Sequence, residues 1–251
     1  MKLGKRAPTK DARDFAFAHY AVELNVAVPR TFGYWGVIDD DNWKMLGNDN
    51  AGDCVFAGAA HETMLWTAEH RRFPPFDDKS VLSDYSAVTG YDPNDPNSDQ
   101  GTIVRDALKY RQSTGIVDAK GNRHKIAAYA SLQDGDWLEL EQATFIFGAV
   151  GIGFNCPDYI FDQFNRNKPW TVLSGTHRLI GGHYVPVVGI INNNWVVCVS
   201  WGKIQLMSKA FWQKYTDENW AILSEETLVS GENLYGFDLT QLRSDLTQLG
   251  R

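Results

Sequence analysis

The sequence predicts an α+β fold in one domain. Its first half carries capped, helix-like segments, and its second half carries β-branched runs separated by turns. Strands and helices do not alternate as βαβ units, so a doubly wound parallel sheet is excluded.

Residues 1–30 hold Lys2, Lys5, Arg6, Lys10 and Arg13 and then an apolar stretch ending at Pro29. They read as a basic arm followed by a segment laid over the body. The domain proper then runs over 31–251. Within it a helical lobe is expected over about 46–115 and a β-rich lobe over about 125–226. Aromatic residues, glycines and acidic residues mix over 31–44, which suits an irregular packed loop.

The stretch 46–72 reads L-G-N-D-N-A-G-D-C-V-F-A-G-A-A-H-E-T-M-L-W-T-A-E-H-R-R. Its turn residues feed a long helix, with Asp53 or its neighbour as N-cap and Cys54 in the first turn. A thiol there meets unpaired N–H groups and the positive end of the helix dipole, which favour the thiolate. Ala57, Gly58, Ala59 and Ala60 let another layer approach closely. On this stretch alone, Cys54 is either an activated thiol or a small buried hydrophobe.

After the Pro74-Pro75 break, 80–89 reads as a helix stopped by Gly90. An exposed Asp/Asn/Pro turn region follows, and Thr102 is the expected cap of a helix ending at Ser113. Strand-like runs occupy 126–132 and 149–156, with a helix over 138–147 between them. Residues 158–180 show no period and read as a surface loop. The runs 183–191 and 195–201 are joined by Asn192-Asn193-Asn194, a good hairpin turn. Pro186 implies an edge or a bulge in the first of these. A short helix over 208–215, a strand over 220–223 and a marginal helix over 239–249 complete the chain.

At 251 residues, 43% hydrophobic and 22% charged, the chain can bury a substantial core. A net charge of −7 argues against nucleic-acid binding, which needs a basic face. No apolar run approaches a membrane span, and residues 1–30 lack a signal-peptide core, so no membrane partner and a cytoplasmic location are expected. The cysteines, Cys54, Cys156 and Cys198, form no even framework and suit a reducing compartment. His61-Glu62 resembles the start of a zinc-protease helix motif, but Leu65 stands where the second histidine is required. No metal site, phosphate loop or dinucleotide fingerprint is visible, and no cofactor is expected.

Downstream the chain reads G-G-H-Y-V-P-V-V-G-I-I-N-N-N-W-V-V-C-V-S-W-G over 181–202. Gly181 and Gly182 leave room beside His183 for another backbone or a substrate. A cysteine opening a helix, a Gly-Gly-His at a strand start and a later Ser-Trp-Gly together resemble the papain-like cysteine peptidases. A looser resemblance is to the propeptide-lacking members found in bacteria and their phages. The resemblance implies a papain-like fold, with a helical lobe and an antiparallel β lobe meeting at a cleft. It implies Cys54 as nucleophile and His183 as base, forming a thiolate–imidazolium pair that attacks peptide or amide bonds through an acyl-enzyme. Asn48, six residues before the cysteine, falls where the family's oxyanion-hole glutamine stands, and Asn50 is a second candidate. Asn50, Gly101, Gly182 and Trp201 are expected at the cleft.

The largest departure lies at the third member. In that family an Asn in Asn-Ser-Trp-Gly orients the histidine, and the alignment puts Val199 there. Strand alternation is expected to turn Ser200 to the opposite face. Two further readings follow from Val199 and the shortened Asn48: a papain-fold binding or structural protein that has lost efficient catalysis, or an acyltransferase. A peptide or protein substrate is the expected partner.

Overall fold

A computed structural model describes residues 1–21, 27–228 and 239–248. In chain order the elements are α1 (Phe17–Tyr20), β1 (Phe32–Gly33), α2 (Cys54–Glu69), α3 (Asp78–Thr89), α4 (Val104–Ser113), β2 (Ile116–Val117) and β3 (Arg123–His124). There follow β4 (Ile126–Ser131), α5 (Trp137–Phe147), β5 (Val150–Pro157), α6 (Ile160–Asn165), β6 (Leu179–Ile191) and β7 (Trp195–Ser200). The chain closes with β8 (Lys203–Ser208), α7 (Lys209–Tyr215), β9 (Thr216–Ser224), α8 (Glu225–Leu228) and α9 (Leu239–Gln248). The fold is α+β, with an antiparallel sheet in the order β4-β9-β5-β6-β7-β8 and β1 added to β6.

Local chemistry explains most boundaries. Asp77 and Ser80 form a reciprocal capping box at the start of α3, and Gly90 ends that helix at φ 75°. Asp136 accepts from the N–H groups of Leu138 and Glu139 to open α5. Asn192 and Asn193 both sit at φ 52°, the left-handed pair that a tight β6–β7 turn requires. Pro186 lies beside a register shift of β6 against β7 between Val187 and Gly189, so the bulge expected near it is present, although β6 is an interior strand.

Three sequence expectations change. Thr102 does not cap α4; the helix begins at Val104 with Ile103 at the N-cap, because the Thr102 backbone is engaged with residues 4 and 6. The 158–180 stretch is not all loop: it holds α6 and the first residues of β6. Its short helix and scattered aromatics hide the period. The strand β8 was not expected, since K-I-Q-L-M-S alternates weakly. The tail helix is present as α9, and Leu249 lies outside the described residues.

Strand alternation splits the core in two. One cluster gathers Val185, Val187, Cys198 and Ile152 with residues of α5 and α7. The other gathers Tyr184, Val188, Val197 and Val199 with residues of α2, α3 and α4. The helix α2 is buried nearly all round, as expected of a helix between two layers. It approaches β6 closely because Gly58 and Gly151 leave room for Tyr184; a Cβ on Gly58 would lie 2.6 Å from that ring. Tyr184 donates to Glu62 (2.7 Å), which also pairs with buried Arg111 (2.7 Å). This buried network locks the helix carrying Cys54 against the strand carrying His183. Among the described residues no helix is long and apolar enough to cross a membrane.

Candidate active site

The loop before α2 is shaped by left-handed backbone at Lys44, Leu46 and Gly47. Asp99 holds its end, both carboxylate oxygens accepting from the Gly52 N–H at 3.0 Å. Tyr85 donates to Asp99 (2.6 Å) and accepts from the Gly101 N–H (3.0 Å), tying the two glycine-bearing loops together. Asp53 is the N-cap of α2, through its carbonyl and not its side chain. Cys54 follows in the first turn, 2% exposed.

His183 enters from β6, 1% exposed. The Trp201 indole stacks on its ring at 4.3 Å, and Phe154 and Trp170 meet it edge-on. Its Nε2 is hydrogen-bonded to Ser200 Oγ at 2.9 Å. Its Nδ1 is buried and has no hydrogen-bond partner among the described residues. Cys54 and His183 line one small cavity of about 10 Å³ together with Asn48, His61, Val199, Ser200 and Trp201.

The partner of His183 is therefore Ser200, which corrects the expectation drawn from the motif. Alternation holds, but its reference was misplaced. In the β6–β7 register Val187 faces Cys198. His183 shares the face of Val187, and Ser200 shares the face of Cys198, so the two meet on the same side. Val199 packs with Val197 in the cluster that includes α2.

Burial dominates the electrostatics. It pushes the Cys54 thiol up to about 12, against the backbone N–H groups of Tyr184 and Gly4, which pull the other way. Burial brings His183 down to about 3. In this closed form the surroundings favour a neutral thiol and a neutral imidazole over the expected ion pair.

What closes the site is the N-terminal arm. Lys5 donates its N–H to the Gly182 carbonyl (3.0 Å), while Arg6 donates to the Thr102 carbonyl (2.9 Å) and Thr102 donates to that of Gly4 (2.7 Å). Lys2 donates to the Asn48 carbonyl (2.8 Å), and Trp201 Nε1 to the Lys2 carbonyl (3.3 Å). Gly4 lies wedged between Gly52 and Gly101; a Cβ on Gly101 would sit 2.1 Å from the Gly4 oxygen. So residues 1–6 thread between the two loops and lie over Cys54. The arm is short, yet a handful of residues suffices to cover the thiol.

Of the other expected residues, Gly101, Gly182 and Trp201 all touch the arm. Asn48 lines the cavity, but its Nδ2 donates to the Ala51 carbonyl at 3.0 Å. Asn50 is exposed and does not line the cavity, so it is removed from the candidate set. His61 is buried on α2 and spans the Trp43 and Lys44 carbonyls at 2.8 and 3.1 Å, a structural role. Two features escaped sequence reasoning. Ser200 was expected on the far face, because the β6–β7 register that fixes its side is not a local signal. Lys5, paired with Asp217 across the whole chain length, carried no local signal.

No protein-family model matches the sequence, and no curated protein sequence matches it. Solved structures do match. Xylellain, a cysteine protease from Xylella fastidiosa, is similar at TM-score 0.66 and 16% identity, covering 88% of this chain and 95% of that one. A procathepsin B from Trypanosoma congolense is similar at TM-score 0.61 and 13% identity, covering 89% and 86%. A digestive procathepsin L of Tenebrio molitor larval midgut is similar at TM-score 0.57 and 13% identity, covering 86% and 75%. The chain has the papain-like fold.

Proposed function

We propose that this chain is a cysteine-nucleophile hydrolase of peptide or amide bonds, held closed by its own arm. The observation that carries this reading is the shared cavity of Cys54 and His183, with Nδ1 unengaged and Nε2 bonded to Ser200. With Nε2–H donating to the serine, Nδ1 keeps the lone pair a general base needs.

When the arm lifts, water and substrate reach the pair, and the desolvation that holds both groups neutral is relieved. The thiol proton passes to Nδ1 and Sγ bonds to the carbonyl carbon. The oxyanion that forms is stabilised by the Cys54 N–H at the start of α2 and by Asn48 Nδ2 once it leaves Ala51. The C–N bond then breaks, and the amine departs with the proton from Nδ1. Water, giving a proton to the same nitrogen, hydrolyses the thioester and frees the carboxylate. Trp201 shields the imidazole throughout. Three unpaired, buried cysteines fit a cytoplasmic setting, and a phage-related origin belongs to the same reading.

A second reading, a papain-fold binding protein without turnover, is favoured by the arm over the thiol and by the engaged Asn48. The test is hydrolysis of a mixed peptide pool by the full chain carrying Lys5→Ala, with products identified by mass spectrometry. Cleavage that is absent in Lys5→Ala/Cys54→Ala supports the hydrolase. An intact pool, with Cys54 accessible to iodoacetamide and the chain folded, refutes it in favour of the binding protein. Product analysis with an added amine separates hydrolysis, which releases the free carboxylate, from acyl transfer, which releases the new amide.

A further inference from the structure

Lys5 is a buried lysine, its side chain 1% exposed. A lysine so deep is kept there by opposite charge. Its Nζ lies 2.7 Å from Asp217 Oδ1, 2.8 Å from Asp217 Oδ2 and 3.3 Å from Glu218 Oε1. Contact with both oxygens also brings the nitrogen close to the carbon of the Asp217 carboxyl group. Both carboxyl groups are held from behind: Asn155 Nδ2 donates to Asp217 Oδ2 at 3.0 Å, and Trp220 Nε1 to Glu218 Oε2 at 2.9 Å. The amine's approach is fixed as well. Lys5 donates its main-chain N–H to the Gly182 carbonyl, and Gly153 forms the floor, where a Cβ would come within 2.2 Å of Lys5 Cε. Burial raises Glu218 above the ordinary carboxyl range, which keeps a proton beside the pair.

An amine, a carboxyl carbon, a proton carrier and an amide donor therefore meet in one dry corner. Groups held together in this way react as if at very high concentration. A groove of about 370 Å³, bordered by Asp217 and Glu218, gives a small leaving molecule a way out. We propose that Lys5 and Asp217 condense to an intramolecular isopeptide bond, with Glu218 as the proton carrier and Asn155 as the oxyanion donor.

The Lys5 ammonium first gives a proton to Asp217, leaving a neutral amine beside a neutral carboxylic acid. The Nζ lone pair bonds to Cγ, and the carbonyl electrons move onto Oδ2, where the Asn155 amide stabilises them. Glu218 gives its proton to the Oδ1 hydroxyl and recovers one from Nζ. The C–Oδ1 bond breaks, water leaves, and the carbonyl re-forms. One ammonium and one carboxylate yield one amide and one water, with no oxidant and no co-reactant. The bond ties the arm to β9 and turns a reversible cover over Cys54 into a permanent one. Chains that have not reacted keep the arm free to lift.

The test is the intact mass of the full wild-type chain, measured in denaturant after prolonged incubation of the folded protein near neutral pH. The mass should fall one water below that of the sequence. Tryptic mapping should then recover a branched peptide that joins Lys5 to Asp217. Lys5→Arg and Asp217→Ala should keep the full mass. Glu218→Gln retains both reacting groups and should slow the loss of water at least tenfold. A wild-type chain that stays at full mass overturns the proposal and leaves an ion pair, whether or not any variant folds. Water lost elsewhere, for example as a succinimide at Asp134-Gly135, overturns it equally, because mapping then finds no branch at Lys5. Glu218→Gln reacting at the wild-type rate would remove Glu218 from the reaction. Because the readout is mass, a negative result leaves the proposed hydrolase untouched, and a chain without hydrolysis leaves the bond untouched.

Discussion

Replacing Ser200 by alanine tests the hydrogen bond that orients His183. The lost Oγ lies 2.9 Å from Nε2, and both residues are almost fully buried. The adjoining cavity of about 10 Å³ gives water at most marginal room to take its place. An orphaned buried donor costs about 1–3 kcal/mol. For a chain of this size each kcal/mol shifts Tm by about 2–4 °C, so a drop of roughly 2–12 °C is expected. During the proposed reaction the ring becomes cationic, and a bond to a charged group contributes about 1.5–3 kcal/mol. Its loss should lower kcat roughly ten- to hundredfold, with KM little changed. Both quantities should be measured in the Lys5→Ala background, where substrate can enter. Ser200→Thr, which retains the hydroxyl, should recover most of both losses. A Ser200→Ala chain with undiminished kcat would refute the orienting role, even if its Tm falls; stacking by Trp201 would then hold the ring unaided.

Val199→Asn, the change a motif alignment recommends, should give no gain in turnover and should lower stability by about 1–3 kcal/mol, because the side chain faces apolar neighbours near α2. Paired kinetics and melting curves decide it, and faster turnover would mean that Val199 stands beside His183 after all. In wild-type protein near neutral pH, iodoacetamide should label Cys54 slowly, since burial pushes its thiol up to about 12. Lys5→Ala should speed that labelling at least tenfold while Cys156 and Cys198 stay slow, which mass-spectrometric mapping would show. Acid should destabilise the fold through His183 and His61, which burial brings from 6.5 down to about 3 and about 4. The unfolded chain takes up these protons first, so their contribution is full above about pH 6.5 and lost as pH falls through the window down to about 3. For His183 the loss is at most roughly 5 kcal/mol. Glu69, raised by burial to about 7, acts in the opposite sense. The imidazole resonances of the folded protein, followed by NMR against pH, check this: a His183 or His61 ring that titrates near 6.5 would show that it is not buried in solution.

Local sequence determined a good deal. The turn residues before Cys54, the Gly90 stop, the Asp136 cap and the asparagine turn between β6 and β7 each act within a few residues. Their consequences can therefore be read from the chain alone. The pairing of a helix-opening cysteine with a Gly-Gly-His strand was legible for the same reason, as two local motifs in a fixed order. The register of β6 against β7 decided the identity of the histidine's partner. A one-residue difference in alignment exchanges the faces of Val199 and Ser200, and only cross-strand pairing fixes that parity. Tertiary structure alone also buried the thiol and imidazole, reversing the charge state that a helix terminus favours, because desolvation depends on everything packed around a group. The arm belongs to the same class. Nothing local distinguishes Lys5 from the other basic residues near it, and its meaning comes from Asp217 and Glu218, brought to it from the far end of the chain.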